Sequence, residues 1–531
     1  MRKMREIVIS NTKENSTPVV INTLNTLKNS KNAVIRFERG KYYFTKQGCF
    51  EGLFYPSNNA SGMKKVIFPI IGFDGLTIDG GGSEFIFCDR VFPFIIQNSK
   101  NITLKNFTVD FSFPRHFQGT VSDSDDEGFS VDFENEYRAY TIENGAVLFG
   151  AGGDIISTEN KKVFIEDLSD RSVGVAYLFV GNCRDNDKGL AAPVIRADAF
   201  NSDGGIRFVY RGESHKKKYG IGDTVFIGND ENRENDVIFC EFSDKLFFDG
   251  ITVHRGAGMG IIAQICSDID INKLKITPRK ESEYLSVTAD AVHAINCSGY
   301  FNIRNSYINK SIDDAVNIHG TYFEVKKVLD NNTVLIGYRH IEQNGLIPCK
   351  IGDILHINDP ETLEETGVVA VEDISFNADR SEIFLTFSKK SDLITEGSLL
   401  ENPDRMPDIL FENNEVYNCP HMLFSSPKKT VIRNNRLNLT SCEICAHDQI
   451  KYWFESGAIG EMIVSDNVFM REKGYNILVD TGRNKNTSHK HKKIIIENNS
   501  FASPQTEFLY AEALDELIMR HNLFSQKNSD V

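Results

Sequence analysis

Two short phrases place carboxylates at a fixed interval in the sequence. DAVHAI begins at Asp290 and returns as DAVNIH at Asp314, 24 residues later, and Asp314 is directly preceded by a second acid, Asp313. Paired carboxyl groups can hydrolyse a glycosidic bond, because one donates a proton to the leaving oxygen while another activates water. The repeated phrase therefore suggests acid–base hydrolysis, provided that the fold brings the three aspartates together.

Further polar side chains accompany these phrases and an earlier, related stretch, GMGIIAQIC. The residues expected to join the aspartates are Gln264, His293, Asn317 and His319. Two alternatives remain open at this point. Asp and Asn also bond backbone groups at the corners of repetitive folds, and the same Asp and His residues could hold a metal ion.

The 24-residue interval belongs to a longer periodicity. Nine segments carry an apolar alternation, then Asn or another polar pair, then a second apolar alternation. Their period-2 patterning and β-branched residues predict strands, and Asn or Gly between the strands tolerates a left-handed corner. The nine segments are ITLKNFTV (102–109), LFFDGITV (246–253), IDINKLKI (269–276), FNIRNSYI (301–308), ILFENNEV (409–416), TVIRNNRL (430–437), MIVSDNVF (462–469), IIIENNSF (494–501) and LIMRHNLF (517–524).

Repeat units of this length without helices between them predict an all-β solenoid, a right-handed parallel β-helix. One coil then corresponds to 24 residues, so Asp290 and Asp314 are expected to be vertical neighbours about 4.8 Å apart. Strict alternation cannot point both Asp313 and Asp314 into one cleft. We therefore expect that pair to straddle a bend between two sheets.

The N-terminal segment predicts a cap for the open end of the solenoid. Val20, Leu24 and Leu27 would share one face of a short helix whose N-cap is Thr17. The strands are expected to begin after this helix, at 33–44.

Two segments interrupt the repeat with short alternating strands joined by turn residues, which predicts two inserted small β-barrel-like domains. The predicted organisation is 1–112 for the cap and first coils, 113–238 for the first insert, 239–321 for the coils with the aspartates, 322–405 for the second insert, and 406–531 for the C-terminal coils.

Composition limits the partners. The net charge is −15, from 74 acidic and 59 basic residues, which argues against nucleic acid or an anionic membrane surface. No run of about 18 apolar residues occurs, and the first residues lack an apolar leader segment, so we expect no membrane span and a cytoplasmic location.

No cofactor or metal is expected either. The glycine-rich stretch 255–260 does not open a helix, which makes a dinucleotide site improbable. Cys442 and Cys445 form a lone CxxC without a second pair, so they indicate incidental thiols rather than zinc. Ten cysteines in this length are too few for a disulfide scaffold.

An aromatic and a carboxylate stand together in KYWFESGAIG, where Trp453 and Glu455 are expected in a long loop beside the solenoid. The indole face could stack on a sugar ring and the carboxylate could hold hydroxyl groups. A lone Trp is as often a packing residue, and both interpretations stay open.

Four motifs resemble those of glycoside hydrolase family 110: HRGAGMGIIAQ (254–264), ADAVHAINCSG (289–299), SIDDAVNIHGTY (311–322) and YWFESGAI (452–459). The resemblance spans about 70 to 525. It implies a parallel β-helix interrupted by small β-barrels and an exo-acting α-1,3-galactosidase of the type that removes terminal galactose from blood-group-B-type glycans. It also implies inverting, metal-independent hydrolysis by aspartates matching Asp290, Asp313 and Asp314.

On this basis Asp313 is the preferred general acid, while Asp290 and Asp314 share the general-base role. The expected substrate is a galactose-terminated oligosaccharide, either linear or blood-group-B-type, and the oligomeric state is open, a homodimer included. The residues expected to contact galactose are His254, Gln264, His293, Asn317, His319, Trp453 and Glu455.

Two alternatives compete with this prediction. A polygalacturonase-like pectin hydrolase shares the solenoid and a one-coil-spaced Asp followed by Asp-Asp, but its Gly-His-Gly and Arg-x-Lys signatures are missing here. A non-catalytic carbohydrate-binding solenoid would keep the aromatic residues but would have no need of stacked carboxylates.

Overall fold

Parallel strands dominate the computed structural model of the chain. It describes residues 5–11, 14–112, 117–133, 140–143, 146–149, 177–180, 197–202, 205–210, 221–222, 224–228, 233, 235–283, 285–330, 332–449, 453–482 and 490–525. These residues wind into a parallel β-helix that carries a closed barrel, so the predicted fold class is confirmed.

The first sheet contains the predicted repeat segments, stacked in register from coil to coil. Its described strands are Arg5–Ile9, Ala33–Phe37, Lys41–Phe44, Asp74–Phe87, Lys100–Phe111, Asp244–Val253, Ser267–Asn272, Lys275–Ile276, Ser298–Arg304, Tyr307–Asn309, Asp408–Glu412, Glu415–Tyr417, Lys429–Arg433, Arg436–Asn438, Glu461–Ser465, Val468–Phe469, His491–Glu497, Ser500–Phe501, Leu514–Arg520 and Leu523–Phe524.

The second sheet lies across the solenoid from the first and carries the DAV phrases. All its pairings are parallel except two, those of Phe50–Phe54 and Glu455–Ser456. Its described strands are Phe50–Phe54, Gly62–Ile71, Phe92–Gln97, Ile238–Glu241, Ile261–Gln264, Val292–Ile295, Val316–Thr321, Met422–Phe424, Ile444–Gln449, Glu455–Ser456, Ile477–Gly482 and Leu509–Ala511.

Asparagines build the corner within the first sheet. Asn413, Asn434 and Asn498 have φ of 56° each, the left-handed conformation predicted for this position. The residues that follow form a buried ladder: Nδ2 of Asn435 donates to Oδ1 of Asn467 at 2.8 Å, and Nδ2 of Asn467 donates to the next asparagine, Asn499, at 3.0 Å. The ladder satisfies corner backbone groups that water cannot reach.

Phenylalanines repeat at equivalent inner positions and stack through the core. Phe68 and Phe94 are parallel with ring centroids 4.4 Å apart, and Phe469 and Phe501 with centroids 4.5 Å apart. Stacking of like residues on successive coils gives these buried phenylalanines a shared role in the core.

The N-terminal helix, Thr17–Leu27, has the predicted buried face of Val20, Leu24 and Leu27. Two details of the prediction are wrong. Ser16, not Thr17, is the N-cap. The strands begin before the helix, because Arg5–Ile9 pairs in parallel with Ala33–Phe37. The short apolar alternation of that first strand is too brief to identify from sequence.

Two inserts interrupt the solenoid, although the exact domain boundaries stay a prediction. The second is a closed antiparallel barrel, and the described strands of the first form antiparallel sheets, while much of 113–238 lies outside the described residues. The barrel strands are Phe323–Val328, Thr333–Gly337, Ile354–Asn358, Glu365–Phe376, Ile383–Phe387 and Leu399–Glu401, with short 3-10 turns at Ile341–Gln343 and Pro403–Arg405. The strands of the first insert are Phe117–Ser124, Gly128–Phe133, Tyr140–Glu143, Ala146–Phe149, Tyr177–Val180, Ala197–Ser202, Gly205–Tyr210 and Thr224–Gly228.

Helices long and apolar enough to cross a membrane are absent from the part of the chain that the structure describes.

Candidate active site

The two DAV phrases lie on neighbouring coils of the second sheet. Val292 pairs with Val316 and His293 with Asn317, so Asp290 stands directly beneath Asp314. The backbone amide of Ala291 donates to the carbonyl of Asp314 at 2.8 Å, which fixes this register. The 24-residue interval is therefore one coil.

The adjacent acids occupy the bend between the two sheets, as expected. Asp313 and Asp314 lie between the strands Tyr307–Asn309 and Val316–Thr321. The Asp313 side chain is 38% exposed, whereas those of Asp314 and Asp290 are only 7% and 4% exposed. One carboxyl thus faces the open cleft and two are enclosed behind it.

Asp290 is enclosed with a histidine. Nδ1 of His293 lies 2.5 Å from Oδ2 of Asp290. Burial, followed by the repulsion from Asp313, raises the pKa of Asp290 well above its ordinary value. Burial lowers the pKa of His293 to about 4. The imidazole is therefore neutral at physiological pH, and Asp290 favours its protonated form.

Asp314 has a cationic partner on the next coil. Nε2 of His421 lies 3.0 Å from Oδ1 of Asp314. Burial opposes a charge on His421, but the carboxylates of Asp314 and Asp313 outweigh it and raise the pKa of this imidazole to about 10. Burial raises the pKa of Asp314 to about 7, with His421 acting in the opposite direction. The pair holds a carboxylate that can change protonation near neutral pH.

Asp313 is held by a guanidinium that reaches in from the end of the first insert. Nη2 of Arg233 donates to Oδ2 of Asp313, and Nη1 donates to the carbonyl of Asn58 at 3.1 Å. The guanidinium lies over the ring of Trp453, 5.3 Å from its centroid, and His340 packs against the same ring at 4.1 Å. Trp453 is thus part of the cleft wall beside Asp313, where the barrel and the solenoid meet.

A second polar group adjoins the histidine of the Asp290 pair. Nε2 of His319 lies 3.1 Å from Nε2 of His293 and 3.6 Å from Oε1 of Glu455. Nδ2 of Asn317 donates to Glu455 at 3.4 Å, while Oδ1 of Asn317 has no hydrogen-bond partner among the described residues. Burial lowers the pKa of His319. These four side chains present amide, imidazole and carboxylate groups that suit sugar hydroxyls.

Two expected contact residues lie elsewhere. The amide of Gln264 is fully used: Nε2 donates to Tyr55 O and to Glu241, and Oε1 accepts from Ser57 N, each at 2.9 Å. Gln264 therefore anchors the segment around Ser57. His254 bonds Thr277 O at 3.0 Å and lines a separate basic cleft of about 500 Å³ that excludes the aspartates.

Three residues of the site escaped the sequence analysis: Arg233, Asp236 and His421. Asp236 is fully buried, accepts from the backbone amide of Met259 at 2.8 Å, and has its pKa raised to about 7 by burial. Arg233 and Asp236 stand at the end of a non-repetitive insert, where no periodicity marks them. His421 could have been found by aligning CPHML one coil above DAVNI, but the barrel insert separates the two segments.

The arrangement can perform proton transfer with protein groups alone. It offers a partly exposed carboxyl, an enclosed carboxyl that favours a proton, a second enclosed carboxyl that titrates near neutral pH, and a cationic imidazole beside it. Among the described residues, the side chains close enough together to hold a metal ion are His421, Cys445 and His447, which lie beside the aspartates rather than between them.

Known proteins with similar sequences extend over almost the whole chain. An alpha-1,3-galactosidase B from Phocaeicola vulgatus is 28% identical over 98% of this chain and 89% of its own length. An alpha-1,3-galactosidase B from Bacteroides fragilis is 28% identical over 97% of this chain and 89% of its own length. An alpha-1,3-galactosidase A from Shewanella woodyi is 26% identical over 92% of this chain and 80% of its own length. No protein-family model matches the chain.

Solved structures are similar only at a distance. The exopolygalacturonase of Thermotoga maritima has 9% identity and a TM-score of 0.36 over 93% of this chain and 80% of that one. The family 28 exopolygalacturonase of Yersinia enterocolitica has 9% identity and a TM-score of 0.30 over 98% of this chain and 78% of its own chain. By contrast, the sequence similarity covers almost the whole chain, so the chain is a relative of the proteins named alpha-1,3-galactosidase, in agreement with the resemblance that its motifs show.

Proposed function

We propose that this chain is an exo-acting glycoside hydrolase that removes terminal α-1,3-linked galactose from oligosaccharides. The observation that carries the proposal is the stack of Asp290 beneath Asp314, with Asp313 open to the cleft at the bend. The names of the full-length relatives specify the sugar and the linkage. Hydrolysis proceeds by general acid–base catalysis with inversion at the anomeric carbon.

Asp313 acts as the general acid, because it is the triad member exposed to a bound glycoside. Arg233 donates to its Oδ2 and so orients the carboxyl for the leaving group. The enclosed Asp290 favours its protonated form, because burial and the repulsion from Asp313 oppose a charge on it.

Asp314 acts as the general base. Its partner His421 is cationic, which keeps negative charge on this carboxyl available. Asp290 and Asp314 together hold the attacking water, since a protonated and an ionised carboxyl can donate to it and accept from it at once. His293, His319, Asn317 and Glu455 bind galactose hydroxyls.

One comparison of substrates tests the function. The purified chain is incubated with Galα1-3Gal, with its Fucα1-2-branched counterpart and with polygalacturonate, and the released monosaccharides are separated. We expect galactose from one or both α-galactosides and no galacturonate. Asp313→Asn, assayed in parallel, identifies any contaminating activity. Release of galacturonate, or no galactose from either α-galactoside, would replace this proposal with the pectin hydrolase or the binding solenoid.

A cytoplasmic location and a homodimer stay proposals. The described cysteines are free thiols, which suits a reducing compartment, and an imported oligosaccharide is the matching substrate.

A further inference from the structure

We propose that His421, Cys445 and His447 bind a late first-row divalent ion such as Zn²⁺, immediately beside Asp314. One ligand atom from each of the three side chains lies within 4.8 Å of the other two. The two imidazole rings are nearly perpendicular, at 83°, with centroids 6.4 Å apart. An ion can sit between them and complete its shell with the thiolate.

The fold of the second sheet creates this group. Met422–Phe424 and Ile444–Gln449 are adjacent strands, with Leu423 paired to Cys445. Residues 445 and 447 point to the same face because side chains alternate along a strand. His421, at the start of the neighbouring strand, completes the group. The ligands are therefore held on backbone that the β-helix fixes, as a preformed site requires.

Carboxylates orient both histidines. Oδ1 of Asp314 lies 3.0 Å from Nε2 of His421, and Oδ1 of Asp480 bonds Nδ1 of His447. In each ring the opposite nitrogen is left for an ion. Metal-binding histidines commonly have this arrangement, in which a carboxylate bonded to one nitrogen fixes the ring while the other nitrogen binds the metal.

The donor set selects the class of ion. Two imidazoles and one thiolate suit Zn²⁺, Co²⁺ or copper, whereas Ca²⁺ and Mg²⁺ require oxygen ligands. The side chains of His421 and His447 are 28% and 18% exposed, so an ion can enter from the cleft. Binding releases two protons to solvent, the thiol proton of Cys445 and one ring proton of the cationic His421. A water or a substrate hydroxyl occupies the fourth position.

The ion inhibits hydrolysis rather than supporting it, a consequence that rests on the proposed function. A dication bound to the same imidazole that contacts Asp314 ties up the partner of the general base. Catalysis itself uses carboxyl groups and needs no ion, so removal of metal should leave activity intact.

Cobalt provides a test that is independent of activity. Metal-free protein is titrated with Co²⁺ while the near-ultraviolet thiolate-to-cobalt charge-transfer band is recorded. We expect one saturable equivalent with this band. Cys445→Ser should lose the band, and His447→Gln should weaken binding at least tenfold. The matched control is Cys88→Ser, because Cys88 is as buried as Cys445, at 4%, its thiol bonds the backbone carbonyl of Ile86, and it lies outside the metal-binding group.

Three results would contradict the proposed metal site. No saturable Co²⁺ binding, a band that survives Cys445→Ser, or equal loss in Cys88→Ser would overturn the site. Melting curves show that each variant is folded, and His447→Gln tests the same site without altering a thiol.

An activity measurement tests the regulatory part. Zn²⁺ should reduce galactose release by at least tenfold, EDTA should restore it, and Cys445→Ser should resist Zn²⁺. Equal inhibition of wild type and Cys445→Ser would overturn the regulation. A chain that binds Co²⁺ as expected but releases no galactose would disprove the proposed function and leave the ion site standing.

Discussion

Nε2 of His421 lies 3.0 Å from Oδ1 of Asp314, although the whole barrel insert separates the two residues along the chain. They meet because the coil that follows the barrel stacks directly on the coil that precedes it: Val316 pairs with Met422. The stacking of coils therefore supplies His421, the charge partner of the proposed base. The barrel insert does not interrupt the stack.

Replacement of the proposed acid should depend on the leaving group. Asp313→Asn should lower the rate on Galα1-3Gal by roughly 10²–10⁴, the usual contribution of a positioned proton donor. The loss should shrink on an aryl galactoside, whose leaving group needs little protonation. Initial rates on both substrates measure this, with Asp392→Asn, an 85% exposed aspartate of the barrel, as control. Equal losses on both substrates would assign the acid role to another carboxyl.

The product should appear first as β-galactose. Inverting enzymes bind a water between their carboxyl groups, whereas retaining enzymes place one carboxylate against the anomeric carbon. Asp290 favours its protonated form and Asp314 titrates near neutral pH beside a cationic His421, so the two enclosed carboxyls suit a bound water better than nucleophilic attack. Proton NMR of the anomeric region in the first minutes decides the matter before mutarotation. Early α-galactose would make one aspartate a nucleophile.

Removal of the guanidinium beside the acid should damage catalysis but not the fold. Arg233→Met keeps much of the side-chain volume and deletes a charged hydrogen bond, worth roughly 1.5–3 kcal/mol, or about 10–150-fold in kcat/KM. Arg207→Met is the matched control, since Arg207 is 20% exposed against 21% for Arg233 and also pairs with an aspartate, Asp125. We expect unchanged activity in the control and similar melting temperatures in both. Comparable losses of activity would remove Arg233 from the site.

The buried carboxyl of Asp236 should give the fold a specific pH dependence. Burial raises its pKa from 3.8 to about 7, so the folded state binds a proton that the unfolded state releases between these values. The stability from this group is complete below pH 3.8 and is lost as pH rises through 7, at most about 4 kcal/mol at 1.36 kcal/mol per pKa unit.

Asp236→Asn should abolish that dependence. The wild type should lose free energy of unfolding between pH 4 and pH 8, and the variant should not. The stability of the variant relative to the wild type should therefore be greater at pH 8 than at pH 4, as measured by urea unfolding at both values. Parallel curves for the two proteins at both pH values would mean that Asp236 does not titrate in this range.

A break in the asparagine ladder should destabilise the solenoid and spare the chemistry. Asn467→Ala leaves the buried Asn435 amide and the carbonyl of Ile432 without their partners, which should cost roughly 2–4 kcal/mol. Denaturant unfolding measures the loss, and Glu472→Ala, in an exposed loop of the same coil, should change little. Wild-type stability in Asn467→Ala would show that water replaces the ladder.

The repeat pattern allowed most of the solenoid to be predicted because each coil is specified locally. Alternating apolar residues and an Asn corner determine one unit, and stacking of identical units follows. The same logic placed Asp290 beneath Asp314, since a one-coil interval converts sequence spacing directly into contact. Trp453 was found through its own chemistry, but its contact with Arg233 was not.

The remainder of the site depends on segments that have no repeat. Arg233 reaches Asp313 from an insert whose sequence carries no register, so nothing in the spacing links them. Gln264 occupies the aligned coil as predicted, yet the segment around Ser57 folds over it and uses its amide. Alignment of coils predicts which residues are neighbours within the stack. It cannot predict which loop segments cover those residues.

The barrel leaves the solenoid after Val316–Thr321 and returns before Asp408–Glu412, and it brings His340 against Trp453 at the cleft wall. The part of the cleft wall around His340 and the coils that carry the aspartates therefore belong to different modules of the fold. A longer, shorter or different barrel would change the cleft wall, and with it the branched glycans that fit, while the coils that carry the aspartates stay the same.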